Sequence, residues 1–144
     1  MLTLLVSFAL AGERSIDPSA LPAPVTAAVA ARVPGAAITA ASREGSEYEV
    51  NVSLGERRLE LAFKADGTWL EEEEVVSVEA LPAAVKATLA ARWEGATIGR
   101  AERSTTAKGT TWEVIVTKAG KSNEVAMDDV GVVKRTETVD KNED

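Results

Sequence analysis

Residues 21–38 read LPAPVTAAVAARVPGAAI, and residues 81–98 read LPAAVKATLAARWEGATI. The two segments align without a gap at a separation of 60 residues, so the chain contains a tandem repeat. In the first copy, apolar residues recur at helical spacing at Leu21, Val25, Val29 and Val33. Pro34-Gly35 then ends the pattern, and Asp17 or Ser19 is placed to cap its start. Each segment therefore predicts an amphipathic helix followed by extended chain.

After the first helix, the apolar period changes to an alternation of two, which predicts strands. Three strands contain Ile38, Val50 and Leu61, and a fourth covers residues 69–78. Asp66-Gly67 precedes the fourth strand and predicts a type I′ hairpin turn, which needs positive φ at both central positions. The unit is therefore one helix followed by four antiparallel strands.

The second copy repeats this order with four additional residues between its first two strands. Trp112 and Val114 match Tyr48 and Val50, but at a separation of 64 residues instead of 60. We expect the additional residues to form an exposed hairpin tip within residues 104–111. The fold class that follows is α+β, with two tandem helix-plus-four-strand repeats.

These patterns divide the chain into five segments. Residues 1–11, MLTLLVSFALA, end in the small-x-small pattern of a signal-peptidase site, but no basic residue precedes Leu2. This run predicts a cleaved signal peptide; a buried first strand is the alternative. The remaining segments are a polar linker at 12–18, the first repeat at 19–78, the second at 79–139 and a charged tail at 140–144.

Composition excludes several classes of function. The chain has no cysteine and no histidine, so thiolate, His-zinc and Ser-His-Asp chemistries are absent. The net charge of −7 argues against binding to nucleic acid or to anionic lipid, and favours a basic partner surface. We therefore expect no cofactor, no enzymatic activity and no stable membrane insertion after signal cleavage.

Two acidic groups are candidate sites, the first for a cation and the second for acid–base chemistry, and both have a simpler interpretation. Residues 71–74 are four consecutive glutamates, which point to alternate faces of a strand and cannot converge on one ion. They are interpreted as charges that protect an edge strand from pairing with another chain. Asp128 and Asp129 fall at the turn that matches residues 65–66, where acidic residues suit turn geometry. No metal ligand is assigned.

The outward face of the sheet is the candidate partner-binding surface. Its residues are Glu49, Arg58, Glu60, Trp69 and Glu113, together with the hairpin tip at 104–111. Trp69 is included because it directly follows a turn and is the aromatic residue best placed to be exposed; core packing is the alternative for it and for the other large aromatic side chains. Glu49 and Glu113 occupy equivalent positions and are predicted to form cross-strand pairs with Arg57, Arg58, Lys118 or Lys121.

The Leu-Pro…Ala-Ala-Arg…Gly-Ala-x-Ile segment, followed by Tyr-Glu-Val and Phe-Lys-Ala-Asp-Gly, resembles the PepSY-like family, which is also described as β-lactamase-inhibitor-like. The resemblance covers residues 21–74 and 81–137. It implies helices packed on one face of a shared or near-continuous sheet. It also implies small bacterial proteins of the periplasm or cell surface, among relatives that inhibit β-lactamases or occur in peptidase propeptides. The family defines no catalytic residues, so none carry over.

Three hypotheses for function remain after these exclusions. The first is a non-enzymatic, exported binding module for a protein or peptide, such as a peptidase or β-lactamase inhibitor or an envelope accessory protein. The second is an acidic envelope protein that binds calcium or another cation. The third, an enzyme that uses carboxylates alone, requires two converging buried acids.

Overall fold

The computed structural model describes residues 12–139, so the predicted signal peptide and the charged tail lie outside the described residues. These residues form nine strands and two α-helices, and the order of one helix followed by four strands occurs twice. The predicted α+β class is therefore confirmed. The fold divides into two compact units between Leu70 and Glu71, and each unit is described by itself.

The first unit is built from a short strand, a helix and antiparallel strands. Its elements are β1 (Arg14–Ile16), α1 (Ala23–Arg32), β2 (Ala37–Glu44), β3 (Glu47–Leu54) and β4 (Arg57–Lys64), and β5 (Trp69–Val76) continues into the second unit. Within it, β1 pairs with β2, β2 with β3, and β3 with β4. The prediction of a linker at 12–18 missed β1, which forms because Ile16 lies opposite Ala41 and packs against the core.

The helix of the first unit covers one face of its strands, which we call the inner face. Val25 and Val29 of α1 are buried in one cluster with Val50 of β3 and Leu61 of β4. The predicted helical stripe is therefore confirmed. Asp17 does not cap this helix, because its carboxylate accepts a hydrogen bond at 2.8 Å from the Ser19 amide in a preceding 3-10 turn.

The second unit repeats the arrangement. Its elements after β5 are α2 (Ala83–Arg92), β6 (Thr97–Thr106), β7 (Gly109–Lys118), β8 (Lys121–Met127) and β9 (Val133–Val139). Neighbouring strands from β5 to β9 pair antiparallel, and Val85 and Leu89 of α2 share a buried cluster with Val114 and Val125. That both helices lie on one face of a shared sheet stays a prediction.

The four additional residues of the second copy lengthen strands instead of enlarging a loop. β6 and β7 have ten residues each, whereas β2 and β3 have eight. Thr105 pairs with Thr110 and Thr106 with Gly109, so the ladder continues almost to the turn. The predicted exposed tip at 104–111 is wrong for most of that range, because only residues 107–109 are exposed, Ser104 is buried and the other four residues are half-buried.

A glycine turn packs against the first turn of the helix in each unit. A Cβ atom on Gly67 would lie 2.7 Å from the carbonyl oxygen of Pro24, and one on Gly131 would lie 2.5 Å from that of Ala84. Both glycines also have positive φ, at +87° and +78°. Asp66 is not among the non-glycine residues with positive φ, so the predicted type I′ turn is wrong.

No helix within residues 12–139 has the length and apolar character that crossing a membrane requires.

Candidate functional site

The outer face of the first unit lies opposite the face that α1 covers. On β3 the buried residues Val50 and Val52 alternate with Glu49 and Asn51, so the latter two point to the outer face. Glu49 lies in register between Ser42 of β2 and Ala62 of β4. This row of small and acidic side chains forms the centre of the outer face in this unit.

Glu49 is a half-buried carboxylate among other carboxylates. The hydroxyl of Ser42 donates a 3.3 Å hydrogen bond to Oε2 of Glu49. Burial, followed by the negative charges of Glu60, Glu13 and Glu44, raises the pKa of Glu49 to about 7, although the Ser42 hydrogen bond acts in the opposite direction. The ionised form is therefore destabilised in the folded protein by desolvation and by like-charge repulsion.

The second unit places an equivalent half-buried glutamate, Glu113, on its own outer face. Its outer-face row reads Glu102, Glu113, Ala126 and Arg135 across β6 to β9. Burial is again the largest cause that raises the pKa of Glu113 to about 7, followed by the charge of Glu124, while Arg135 acts in the opposite direction. Burial also raises the pKa of Glu102, although the adjacent Arg100 forms an ion pair with it.

Arg135 joins the glutamates of the second unit. Its Nη2 lies 3.1 Å from Oε1 of Glu113 and 2.8 Å from Oε1 of Glu124, and its Nε lies 3.5 Å from Oε1 of Glu137. The side chains of Glu113 and Glu124 are 20% and 9% exposed, so solvent screens these contacts only in part. One guanidinium thus contacts both the half-buried Glu113 and the buried Glu124.

The glutamate pair is present in both repeats. Glu49 and Glu60 are separated by 64 residues from Glu113 and Glu124, which is the offset of the two copies after their first strand. In both units the small residue opposite the first glutamate is alanine, Ala62 or Ala126. The duplicated pair is the most specific chemical feature of the outer face.

A family model described as "Putative beta-lactamase-inhibitor-like, PepSY-like" matches residues 11–62 and again residues 54–135. The chain belongs to this family. None of the curated proteins that were compared matches the sequence.

Solved structures share the fold of this PepSY-like chain. A BLIP-like protein from Bacteroides fragilis NCTC 9343 is 21% identical with a TM-score of 0.73, over 84% of this chain and 88% of its own. A DUF2874 family protein from Bacteroides uniformis ATCC 8492 is 21% identical with a TM-score of 0.77, over 84% and 91%. A "putative periplasmic" protein from Bacteroides eggerthii DSM 20697 is 19% identical with a TM-score of 0.75, over 82% and 88%. At these identities the likeness shows the fold alone.

Four of the five predicted partner-face residues lie on the outer faces of the two units. Glu49 and Glu60 do so in the first unit and Glu113 in the second, and Arg58 shares the face of Glu60 because it pairs in register with Ser53. Arg58 does not form the predicted cross-strand pair with Glu49. Its Nη1 donates at 2.9 Å to the carbonyl of Gly55, within its own hairpin.

The predicted partners of Glu113 are also wrong. Lys118 donates from Nζ to the backbone carbonyl of Glu94 at 2.6 Å, and Arg135 of β9 takes the place expected for a lysine. Sequence reasoning missed Arg135, Glu102 and Glu124 as members of this face. Strict alternation along β6 and β8 is the signal that could have found Glu102 and Glu124, whereas the position of Arg135 depends on a register shift between β8 and β9.

Trp69 is not an outer-face residue. It is half-buried and packs against the first core cluster, and the guanidinium carbon of Arg32 lies 3.6 Å from the centre of its ring. The expectation of an exposed aromatic side chain is therefore wrong, because the residue after the turn points toward α1. Trp69 is removed from the candidate surface.

The glutamate run on β5 has structural contacts on both faces. Glu74 is buried and accepts a hydrogen bond from Arg103 at 2.6 Å, and Glu71 accepts one from Ser104 at 2.6 Å. The interpretation as purely protective surface charge is therefore wrong for Glu74. Across residues 12–139, no three acidic side chains converge in a way that could hold a metal ion.

The aspartates after β8 organise a turn. A backbone hydrogen bond from Val132 lowers the pKa of Asp128, whose Oδ1 also accepts from the amide of Val130. Asp129 accepts a 2.7 Å hydrogen bond from Nε1 of Trp112, which is buried. Asp128 fits the predicted turn role, and Asp129 adds an anchor for the indole ring.

Proposed function

We propose that this chain is an exported, non-enzymatic binding module whose outer sheet face binds a protein partner. The observation that carries the proposal is the half-buried outer-face glutamate that occurs in both repeats, Glu49 and Glu113, each with a pKa raised to about 7. Carboxylates with strongly perturbed pKa values concentrate at functional sites. Such a group lowers the stability of the fold, so a functional role explains its presence. A partner surface that supplies positive charge removes that cost.

Other properties support binding over catalysis. The chain has no histidine or cysteine, so the commonest acid–base and nucleophilic groups are missing. Each of the two carboxylates with a raised pKa lies in a row of side chains that runs across neighbouring strands, and such a row offers an extended surface for contact with another protein. Inhibition of a peptidase or a β-lactamase is the specific form of binding that the family's description suggests, and an envelope accessory role is the other form.

Export rests on two supporting observations. The first eleven residues end in a small-x-small pattern after an apolar run. One structural neighbour with the same fold is described as periplasmic. We propose a periplasmic or extracellular location.

Calcium binding, the second hypothesis from the sequence, finds no supporting cluster within residues 12–139.

Site-specific photo-crosslinking in the native host tests this proposal. A photoreactive amino acid is placed on the outer faces at Asn51 and Thr111, and in matched strains on the exposed helix positions Ala27 and Ala87. We expect the same discrete cross-linked protein from both outer-face positions and none from the helix positions. Mass spectrometry of the cross-linked band then identifies the partner.

The opposite pattern would refute the proposal. Cross-links from Ala27 or Ala87 with none from Asn51 or Thr111 would move the binding surface to the helices. Monomer alone at all four positions, with each variant folded by circular dichroism, would count against a binding module.

A further inference from the structure

The last strand of the second unit has one open edge. Among residues 12–139, β9 pairs with β8 and with no other strand. A strand at the end of a sheet presents a row of unpaired N–H and C=O groups that can pair with another chain. Independently of the proposed function, we propose that β9 pairs antiparallel with β9 of a second copy of this chain, about a two-fold axis at Thr136.

The features that usually protect a sheet edge are weak along β9. Residues 135–139 pair with β8 in one continuous register and include no proline. Lysine commonly guards an edge, but Nζ of Lys134 lies 3.3 Å from Oδ2 of Asp128 and is held within its own unit. Val132, just before the strand, is 51% exposed, so apolar surface adjoins the open edge. This edge is therefore suited to strand pairing.

Charge selects one register for a pair of β9 strands. With the two-fold axis at Thr136, Arg135 of each copy lies opposite Glu137 of the other, so the pair occurs twice. Moving the axis by one residue would place Arg135 opposite Arg135, or Glu137 opposite Glu137. Opposite charges directly across antiparallel strands stabilise the pairing, and like charges destabilise it. The sequence of β9 is therefore complementary to itself about Thr136.

The side chains of this cross-strand pair retain unused capacity for hydrogen bonds. Oε2 of Glu137 is shielded from solvent and accepts no hydrogen bond from any of residues 12–139. Its Oε1 lies 3.5 Å from Nε of Arg135 in the same strand, which is a loose contact. The side chains of Arg135 and Glu137 are 42% and 36% exposed, so both can turn toward a neighbouring strand. Arg135 of a second copy supplies the donor that this carboxylate lacks.

The geometry also sets the strength of the association. A two-fold axis uses the same surface of both copies, so the assembly closes as a dimer and does not extend into a filament. One pair of short strands buries less surface than a standard protein interface, so we expect a weak dimer with a Kd of about 0.1 mM.

Single-cysteine variants test the register without background, because the chain has no cysteine. In Thr136→Cys the two thiols meet at the axis, where facing Cα atoms lie about 4.5 to 5.5 Å apart, a distance that a disulfide spans. Thr138→Cys is the matched control, since it is exposed on the same face of β9 but would lie opposite Lys134 of the second copy. We expect mild oxidation of the whole chain to link Thr136→Cys at least about tenfold faster than Thr138→Cys.

Sedimentation equilibrium of the whole chain measures the dimer itself. Glu137→Arg places guanidinium groups opposite each other on both sides of the axis and should weaken the dimer at least about tenfold. Glu47→Arg makes the same change of charge at an exposed position of β3 and should leave the Kd within about threefold. Circular dichroism checks that both variants are folded, and the cysteine comparison decides alone if Glu137→Arg unfolds.

Three outcomes would overturn the proposal. The first is a wild-type chain that stays monomeric up to about 1 mM, tenfold above the expected Kd. The second is an equal rate of disulfide formation at Thr136→Cys and Thr138→Cys, which would indicate random collision. The third is equal weakening by Glu137→Arg and Glu47→Arg, which would assign the effect to net charge and not to the cross-strand pair.

Discussion

Glu49→Gln should stabilise the protein at alkaline pH and have little effect at acidic pH. The pKa of Glu49 is raised from its usual 4.5 to about 7 in the folded protein, so the folded state binds the proton more tightly than the unfolded state. The cost of ionised Glu49 is therefore fully present above pH 7. It declines as the pH falls through 7 and is almost gone at the unfolded value near 4.5.

The size of the effect follows from the shift. A rise from 4.5 to about 7 corresponds to about 3 kcal/mol, because one pKa unit is about 1.4 kcal/mol. Glu49 is only half-buried, so solvent screening reduces this value, and we expect about 1 to 2 kcal/mol at pH 8. At pH 4.5 the gain should fall below about 0.5 kcal/mol.

Urea unfolding of the wild type, Glu49→Gln and Glu47→Gln at pH 8 and pH 4.5 measures these differences. Trp69 packs against the core of the first unit, and Trp93 and Trp112 pack in the second, so tryptophan fluorescence follows the unfolding of both units. Glu47→Gln removes the same formal charge from an exposed position on the same strand and should change stability by less than about 0.5 kcal/mol. A gain for Glu49→Gln that is equal at both pH values, or a loss at pH 8, would refute the reasoning.

Three other substitutions test the packing that supports the outer face, each by urea unfolding. Gly131→Ala should cost at least about 2 kcal/mol more than Gly120→Ala, because both have positive φ but only the Cβ at Gly131 meets a backbone oxygen, at 2.5 Å. Trp69→Ala should cost about 2 to 4 kcal/mol, and a loss below about 1 kcal/mol would return this residue to the surface. Asp129→Ala should cost about 1 to 2 kcal/mol, since it leaves the buried Nε1 of Trp112 without its acceptor.

The helices and strands could be predicted because each rests on a local period. Val25 and Val29 recur at helical spacing, and Val50 and Val52 alternate with polar residues; all four are buried. The strand β1 escaped prediction because three residues are too few to show an alternation. It exists because β2 offers it a partner, which only the tertiary structure reveals.

The turn before β5 shows a different limit of prediction. Asp66-Gly67 has the composition of a type I′ turn, but the amide of Gly67 bonds back to the carbonyl of Lys64 at 2.9 Å, so Gly67 takes the fourth position. Docking against Pro24 demands a residue without Cβ at that place. Packing on the helix, and not the intrinsic preference of the dipeptide, therefore selects the turn.

The electrostatic partners on the outer face depend on register, which short-range patterns do not encode. Glu113 lies opposite Ala126, and Ala126 lies opposite Arg135 only because a register shift in β8 and β9 falls directly after Ala126. Without that irregularity, Ala126 would pair with Lys134, and Arg135 would point to the other face of the sheet. A lysine nearer in sequence was therefore a reasonable but wrong expectation for the partner of Glu113.

The difference between the repeats supports a functional reason for Glu49. In a duplicated chain, a half-buried carboxylate that served only the fold would be stabilised in both copies by the same kind of neighbour. The second copy does this with Arg135, which contacts Glu113 and Glu124. The first copy retains the glutamate next to carboxylates that disfavour its charge. Stability alone would favour a neutral residue at this position, and this difference between the copies is what Glu49→Gln measures.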